Sequence, residues 1–218
     1  MAGTDTTLGT LKGSPVVDPN MDVTNLTADA ETFTANAYYV SGSRPALVDA
    51  GTIDGIEDHI DELEVVYLTH QHGDHVGALD GVLEVFDPDV AAWDDHPART
   101  IALDDGDEVE IGDERFAVVH TPGHAPDHVS FVGDHALFSG DVVVYNDAAF
   151  DDGSFGRTDG PTQSREELIQ SLQRLLDRLG DDVSAMYAGH GDVYEGDVTA
   201  VVERALRRAE RREPKYED

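Results

Sequence analysis

The feature that most narrows what this chain can fold into is a junction that it repeats four times. A short apolar run passes directly into a loop that carries histidine or aspartate. Val65-Val66-Tyr67-Leu68 leads into Thr69-His70-Gln71-His72-Gly73-Asp74-His75. Residues 115–119 lead into His120-Thr121-Pro122-Gly123-His124, residues 136–138 into Ser139-Gly140-Asp141, and residues 183–188 into Gly189-His190-Gly191. Runs this short and this apolar read as buried strands. Strand ends are rigid, and the loops beside them can aim polar groups into one cleft. The four junctions therefore predict a β-rich scaffold with a shared site.

The rest of the pattern supplies helices. Residues 33–40 and 46–49 read as strands around the turn Ser41-Gly42-Ser43-Arg44, and Ile53, Ile56, Ile60 and Leu63 recur at helical spacing. Residues 129–132 and 136–138 form a hairpin pattern around Gly133-Asp134. Ser164 with Glu167 is a capping box that opens a helix through Leu168, Leu172, Leu175, Leu176 and Leu179, with Gly180 suited to its C-cap. A last helix is expected to start near Asp197. Strands and helices mix without strict alternation, so the fold class is α/β with mixed sheets. Residues 1–20, rich in Thr, Gly, Asp and Pro, are expected to be a flexible N-terminal arm, and 21–218 a single domain. No repeat is visible, and no apolar run approaches the ~18 residues that a membrane span needs.

The segment 70–75 points to metal. Three histidines and an aspartate fall within it, and the chain has no cysteine, so any ion must be held by imidazole and carboxylate. His70 and His72 can point the same way if the loop is extended. Gly73 would let the backbone turn, so that Asp74 and His75 face a second position. Imidazole suits Zn, Fe, Cu or Ni, and carboxylate adds hard-ligand character. His120 and His128 read as hydrogen-bonded structural histidines or as partners that orient a ligand. His59, His96 and His135 sit among surface-type residues.

These residues carry a family resemblance. The segment 70–75 resembles the His-x-His-x-Asp-His motif of the metallo-β-lactamase fold. Thr121-Pro122-Gly123-His124, Ser139-Gly140-Asp141 and Gly189-His190-Gly191 resemble the motifs that follow it, in the same order. The resemblance implies a four-layer αβ/βα sandwich, two mixed sheets with helices outside. It implies two divalent metal ions, zinc first and iron or manganese next. His70, His72 and His124 would hold one, Asp74, His75 and His190 the other, and Asp141 would bridge them. A metal-bridging hydroxide would be the nucleophile, with Asp74 and Asp141 as the catalytic carboxylates.

Within the superfamily the Thr-Pro-Gly-His motif is most similar to the glyoxalase II-like branch, which implies hydrolysis of a small thioester or ester. The chain ends soon after His190, which leaves open a glutathione thioester, a thioester of a different thiol carrier, or another ester. Two alternatives stand beside it. Phe155-Gly156-Arg157-Thr158-Asp159 resembles a stretch near the active site of persulfide dioxygenase-like and thioester-hydrolase-like relatives, which implies a mononuclear iron oxygenase as the first. There Arg157 would anchor an anionic substrate, or pair with a nearby carboxylate. The second is a nuclease of the RNase Z-like branch. An RNA-gripping insertion is not visible, and Asp141 at the bridging position argues against a true β-lactamase.

Charge bears on the environment more than on the chemistry. The chain has 46 acidic and 14 basic residues, a net charge of −32, with the acids spread along it. Such a chain repels itself in dilute salt, and at ~1 M the Debye length of ~3 Å screens that repulsion. A halophilic, cytoplasmic protein is expected. The charge disfavours a nucleic-acid partner. The one basic cluster, Arg204, Arg207, Arg208, Arg211 and Arg212, suits the C-terminal end of a helix with Glu203, Glu210 and Glu213 beside it. The expected partner is a small-molecule substrate.

Overall fold

The computed structural model describes residues 21–213. The arm expected over residues 1–20 lies outside them. Two six-stranded sheets lie face to face. The first holds β1 (Asp22–Asn25), β2 (Tyr38–Ser41), β3 (Ala46–Val48), β4 (Val65–Tyr67), β5 (Asp89–Ala92) and β6 (Ile101–Ala102), in that spatial order. The second holds β7 (Glu108–Ile111), β8 (Glu114–His120), β9 (Val129–Gly133), β10 (Ala136–Gly140), β11 (Ala185–Ala188) and β12 (Tyr194–Glu195), also as neighbours in chain order. Both sheets are mixed. β3, β4, β5 and β6 run parallel, as do β10 and β11, and the remaining pairs are antiparallel.

The apolar runs are continuous because the central strands are buried on both faces. Side chains alternate along a strand, so one run feeds two cores. From β4, Val65 and Tyr67 enter the core between the sheets, and Val66 enters the core outside the first sheet. From β10, Ala136 and Phe138 point between the sheets, and Leu137 points outward. The first outer face is covered by α2 (Leu79–Val85) and one 3₁₀ turn (Ile56–His59). The second is covered by α3 (Arg165–Arg178) and α4 (Val198–Glu210). The result is the expected four-layer αβ/βα sandwich.

Helix caps follow the sequence at three of four ends. The Ser164 hydroxyl accepts from the Glu167 N–H at 3.2 Å, and Asp197 accepts from the Ala200 N–H at 2.9 Å. α4 ends among the expected arginines. The end of α3 differs: Leu179 is extended, and Gly180 is not in the left-handed region that would make it a C-cap.

Two further expectations are corrected. Residues 33–37 pair with no strand, and β2 begins only at Tyr38. The isoleucine spacing from Ile53 yields a single 3₁₀ turn. Glu57, Asp58, Asp61 and Glu62 would stack like charges at helical spacing there. The chain loops instead, and still buries Ile56 and Ile60. Among the described residues, no helix is long and apolar enough to cross a membrane.

Candidate metal centre

The parallel strands of each sheet end at the same edge, and the junction loops meet there. Thr69 to His75 follows β4, His124 follows β8, Asp141 follows β10 and His190 follows β11. His72 is extended, and α1 (Gly73–Val76), a single helical turn, starts after it. That turn redirects the chain. Gly73 has an ordinary helical conformation, so the helix start, not glycine freedom, carries Asp74 and His75 to the second position.

All seven ligand candidates converge. His72 Nδ1 lies 2.9 Å from both His70 Nε2 and His124 Nε2. Three nitrogens sharing one tetrahedral zinc would stand about 3.3 Å apart, given Zn–N bonds of ~2.0–2.1 Å. On the other side, His190 Nε2 lies 3.1 Å from Asp74 Oδ2 and 3.6 Å from Asp141 Oδ2. Asp141 stands between the groups, with Oδ2 3.3 Å from His124 Nε2 and Oδ1 3.5 Å from His75 Nε2. Ligand atoms of His70, His72 and His124, of His70, His75 and Asp141, and of Asp74, His75 and His190 each lie within 4.8 Å of one another.

Partners behind these groups fix which nitrogen faces inward. Asp49, buried after β3, accepts three hydrogen bonds: from the Thr69 N–H at 2.8 Å, the Thr69 hydroxyl at 2.7 Å, and His75 Nδ1 at 2.8 Å. The Thr69 hydroxyl, having spent its proton on Asp49, accepts from His70 Nδ1 at 3.1 Å. His70 therefore presents a bare Nε2, and His75 turns its Nε2 inward. His124 Nδ1 donates to the Arg157 carbonyl at 2.9 Å, which leaves its Nε2 bare too. His128 acts on Asp141 through the backbone. Its Nε2 accepts from the Asp141 N–H at 2.9 Å, so its Nδ1 donates to Thr121 Oγ1 at 2.8 Å. The Thr121 hydroxyl then donates to Ser130 Oγ at 3.1 Å, and Ser130 to the Ser139 carbonyl at 3.1 Å.

Charge is distributed unevenly among the imidazoles. Burial, reinforced by His75 and His128, pushes His70 well below the ordinary histidine value. Burial also lowers His124, against the pull of Asp141. For His75 burial works the same way but loses: the Asp49 and Asp141 carboxylates hold it well above that value. Burial would raise Asp141, yet His190, His75 and His124 hold it well below the usual carboxylate range. Asp74 is lowered against burial by its hydrogen bond to His190.

The donor set fits divalent cations. Buried polar atoms are ordinarily paired. Here His75 Nε2 and Asp141 Oδ1 are buried, face each other, and make no hydrogen bond. Close packing keeps the space tight around them. A Cβ on Gly189 would fall 2.3 Å from Asp141 Oδ1, and one on Gly156 2.5 Å from His124 Nδ1. The centre opens into a cleft of about 640 Å³ lined by His72, Asp74, His124, Asp141 and His190, with Phe33 and Arg157 at its walls. Water and a small carbonyl compound could meet there.

The other residues named from sequence sort cleanly. Arg157 lies at the cleft and is paired to Asp159 by two hydrogen bonds of 3.0 and 2.8 Å, the carboxylate pairing that was one of its two expected roles. His120 is structural: it stacks on Trp93 at 3.9 Å and its Nε2 donates to the Pro126 carbonyl. His59 is exposed, and His96 and His135 are half-buried away from the centre. The arginines on α4 and just after it pair with carboxylates, Arg208 with Asp152 and Glu213, Arg207 with Glu203, Arg212 with Glu166 on α3.

Sequence reasoning missed three residues. Asp49 closes a fifth apolar strand in an acidic loop, and its φ of +57° is a conformation that aspartate tolerates better than most. Asn36 belongs to the misread stretch before β2, which straps the centre. The Asn36 N–H donates to the Gly189 carbonyl and its amide to the Ala188 and Gly191 carbonyls. Phe33 stacks on His190 at 5.2 Å.

The comparisons with known proteins agree with this fold. A hydroxyacylglutathione hydrolase of Vibrio cholerae is 34% identical over 139 residues, covering 60% of this chain and 51% of that protein. The chain spans about half the length of the curated relatives it matches. ETHE1 from Myxococcus xanthus shares the fold, with a TM-score of 0.68 at 24% identity, covering 87% of this chain and 84% of that structure. TTHA1623, solved in a di-iron-bound form, has a TM-score of 0.59 at 28% identity, covering 78% of this chain and 93% of that one. The family model described as the metallo-beta-lactamase superfamily matches residues 30–96 and 90–190, and the chain belongs to that superfamily.

Proposed function

We propose that this chain is a metal-dependent hydrolase that cleaves a small thioester or ester. One observation carries the reading. Seven histidine and aspartate side chains from both sheets face one another, and two of their buried atoms, His75 Nε2 and Asp141 Oδ1, have no hydrogen-bond partner. His70, His72 and His124 would hold one divalent cation and Asp74, His75 and His190 a second, with Asp141 between them. Zinc suits this donor set first, iron and manganese next. The hydroxyacylglutathione hydrolases among the relatives support the thioester class.

When bound, the two ions supply a water whose pKa is lowered to about 7 and a Lewis acid for the scissile carbonyl. The chain's own groups orient the reaction. Asp74, held ionised beside His190 at the cleft, accepts a hydrogen bond from the attacking water and aims its lone pair. Asp49, the Arg157 carbonyl and His128 keep His75, His124 and Asp141 in place. The water's oxygen bonds to the carbonyl carbon, the carbon–sulfur or carbon–oxygen ester bond breaks, one proton of the water passes to the departing sulfur or oxygen to give thiol or alcohol, and the other leaves from the carboxylic acid product. Arg157, at the wall, contacts the part of the substrate that does not react.

Metal content per chain, measured on protein purified in concentrated salt without chelator, tests the reading together with thioester turnover. About two ions per chain and hydrolysis are expected. His72→Ala and Asp141→Asn are expected to lose metal and activity together. One iron per chain, with oxygen consumed on a persulfide, would replace the hydrolase by the oxygenase alternative. Full activity in either variant would remove the site assignment.

A further inference from the structure

The wall of the cleft carries a charge pattern that the hydrolytic reading leaves unexplained. Beyond the ligand residues it is formed by Phe33, Asn146, Asp147, Arg157, Asp159 and Gln163. Arg157 is the only cation among them, and Asp159 engages its guanidinium through two hydrogen bonds. Asp159 is held ionised by that contact, so the pair presents no net positive charge. Asp147 adds a further acid to the wall. A wall that gripped an anion would leave a basic group uncommitted to a neighbouring carboxylate. Facing this polar side is Phe33, 78% exposed and stacked on His190 at 5.2 Å and 17°. A large apolar ring left in solvent at the mouth of a cleft, and held parallel to a ligand imidazole, is a ready contact for a substrate.

We infer that the cleft selects a substrate whose non-reacting part has an apolar portion, seated on Phe33, and carries no net negative charge, because Asp159 has neutralised the one basic side chain that the described residues give the wall. This rests on the hydrolase reading for the position of the reacting carbonyl, and deepens it by naming the class of carrier.

The test uses three thioethers, which cannot be hydrolysed, identical except for a distal ammonium, carboxamide or sulfonate head. Sulfonate is chosen as a weak metal ligand. Affinities for the zinc-loaded chain are measured by calorimetry at fixed high salt. The sulfonate is expected to bind at least about tenfold more weakly than the carboxamide, and the ammonium at least as well. Asp159→Asn is expected to recover most of the sulfonate's loss and leave the carboxamide unchanged. Phe33→Ala is expected to weaken all three alike, by about tenfold. A sulfonate that binds the wild-type chain as tightly as the carboxamide overturns the inference, as does an absence of binding by all three. The matching thioesters are assayed in parallel. The expected binding order without turnover would sink the hydrolase reading and leave the selectivity standing.

Discussion

Asp49→Asn is the most informative single change, because it alters one group behind the centre and almost nothing else. Asparagine tolerates the left-handed backbone at this position, where φ is +57°, so the turn after β3 survives. The side chain keeps its shape. Its amide can still accept from the Thr69 N–H, but the charge that holds the proton on His75 Nδ1 is gone. Partners of this kind, lost one at a time, cost about 10–100-fold in metal affinity, or about 1.4–2.7 kcal/mol.

The pH dependence of that loss can be worked out. In the wild-type protein without metal, His75 is held protonated by Asp49 and Asp141, so an ion must displace a proton below the raised pKa. In the variant, burial dominates and His75 is neutral at lower pH, so less proton competition remains. The affinity ratio of wild type to variant should therefore be smallest at acid pH. It should grow as pH rises and level off once His75 is neutral in both. Competition with a chromophoric chelator, at several pH values in concentrated salt, reads the ratio directly. A ratio near one at every pH, or one that shrinks as pH rises, would refute the role given to Asp49.

Other expectations follow from charge and packing. Dilution from molar salt to about 0.1 M lengthens the Debye length from ~3 to ~10 Å, so the chain should lose its far-ultraviolet dichroism and regain it when salt returns. A signal indifferent to salt would remove the halophile reading. Phe138, buried between the sheets against Tyr38, Phe116 and Tyr187, should cost ~3–5 kcal/mol when changed to alanine, read as a lower denaturation midpoint with an unchanged slope. Gly156→Ala should displace His124, since its Cβ would sit 2.5 Å from His124 Nδ1 and 2.6 Å from the Asp141 carbonyl. Metal stoichiometry should then fall while the sheets persist, and a full complement of metal would contradict the packing argument.

Much of this was legible from residue order. The four junctions were readable because buried strands are short, apolar and end abruptly, and their polar ends stand out against them. Asp49 ends a strand in the same way, but one acid among 46 acidic residues carries no contrast, and only its three hydrogen bonds mark it out. Residues 33–37 were misread for a different reason. Their backbone groups are satisfied by loops distant in sequence: the Ala35 N–H meets the Asp74 carbonyl, and the Asn36 N–H the Gly189 carbonyl. Local pattern contains no record of such partners. The edge strands β1, β6, β7 and β12 were missed because they run for only two to four residues and are half exposed, too short to show a sustained pattern, and β5 was missed because its buried run is only three residues long. The pairing of Arg157 with Asp159 was legible as a possibility, since the two are neighbours in sequence. The exposure of Phe33 was not, because at the start of a stretch read as a strand an aromatic residue carries no sign of which way it faces.

The strap before β2 has a consequence for assembly. It ties the loop after β4 to the end of β11, so the seam between the two sheets is stitched at the place where the ligands meet. His70, His72, Asp74 and His75 come from the first half of the chain, and His124, Asp141 and His190 from the second. A fragment of either half could inherit a sheet and an outer helical face, but never a complete ligand set. Any ion that binds is thus a rivet between halves, and its binding energy is shared with their docking. Two separately produced halves should accordingly complement each other far better with metal than without it.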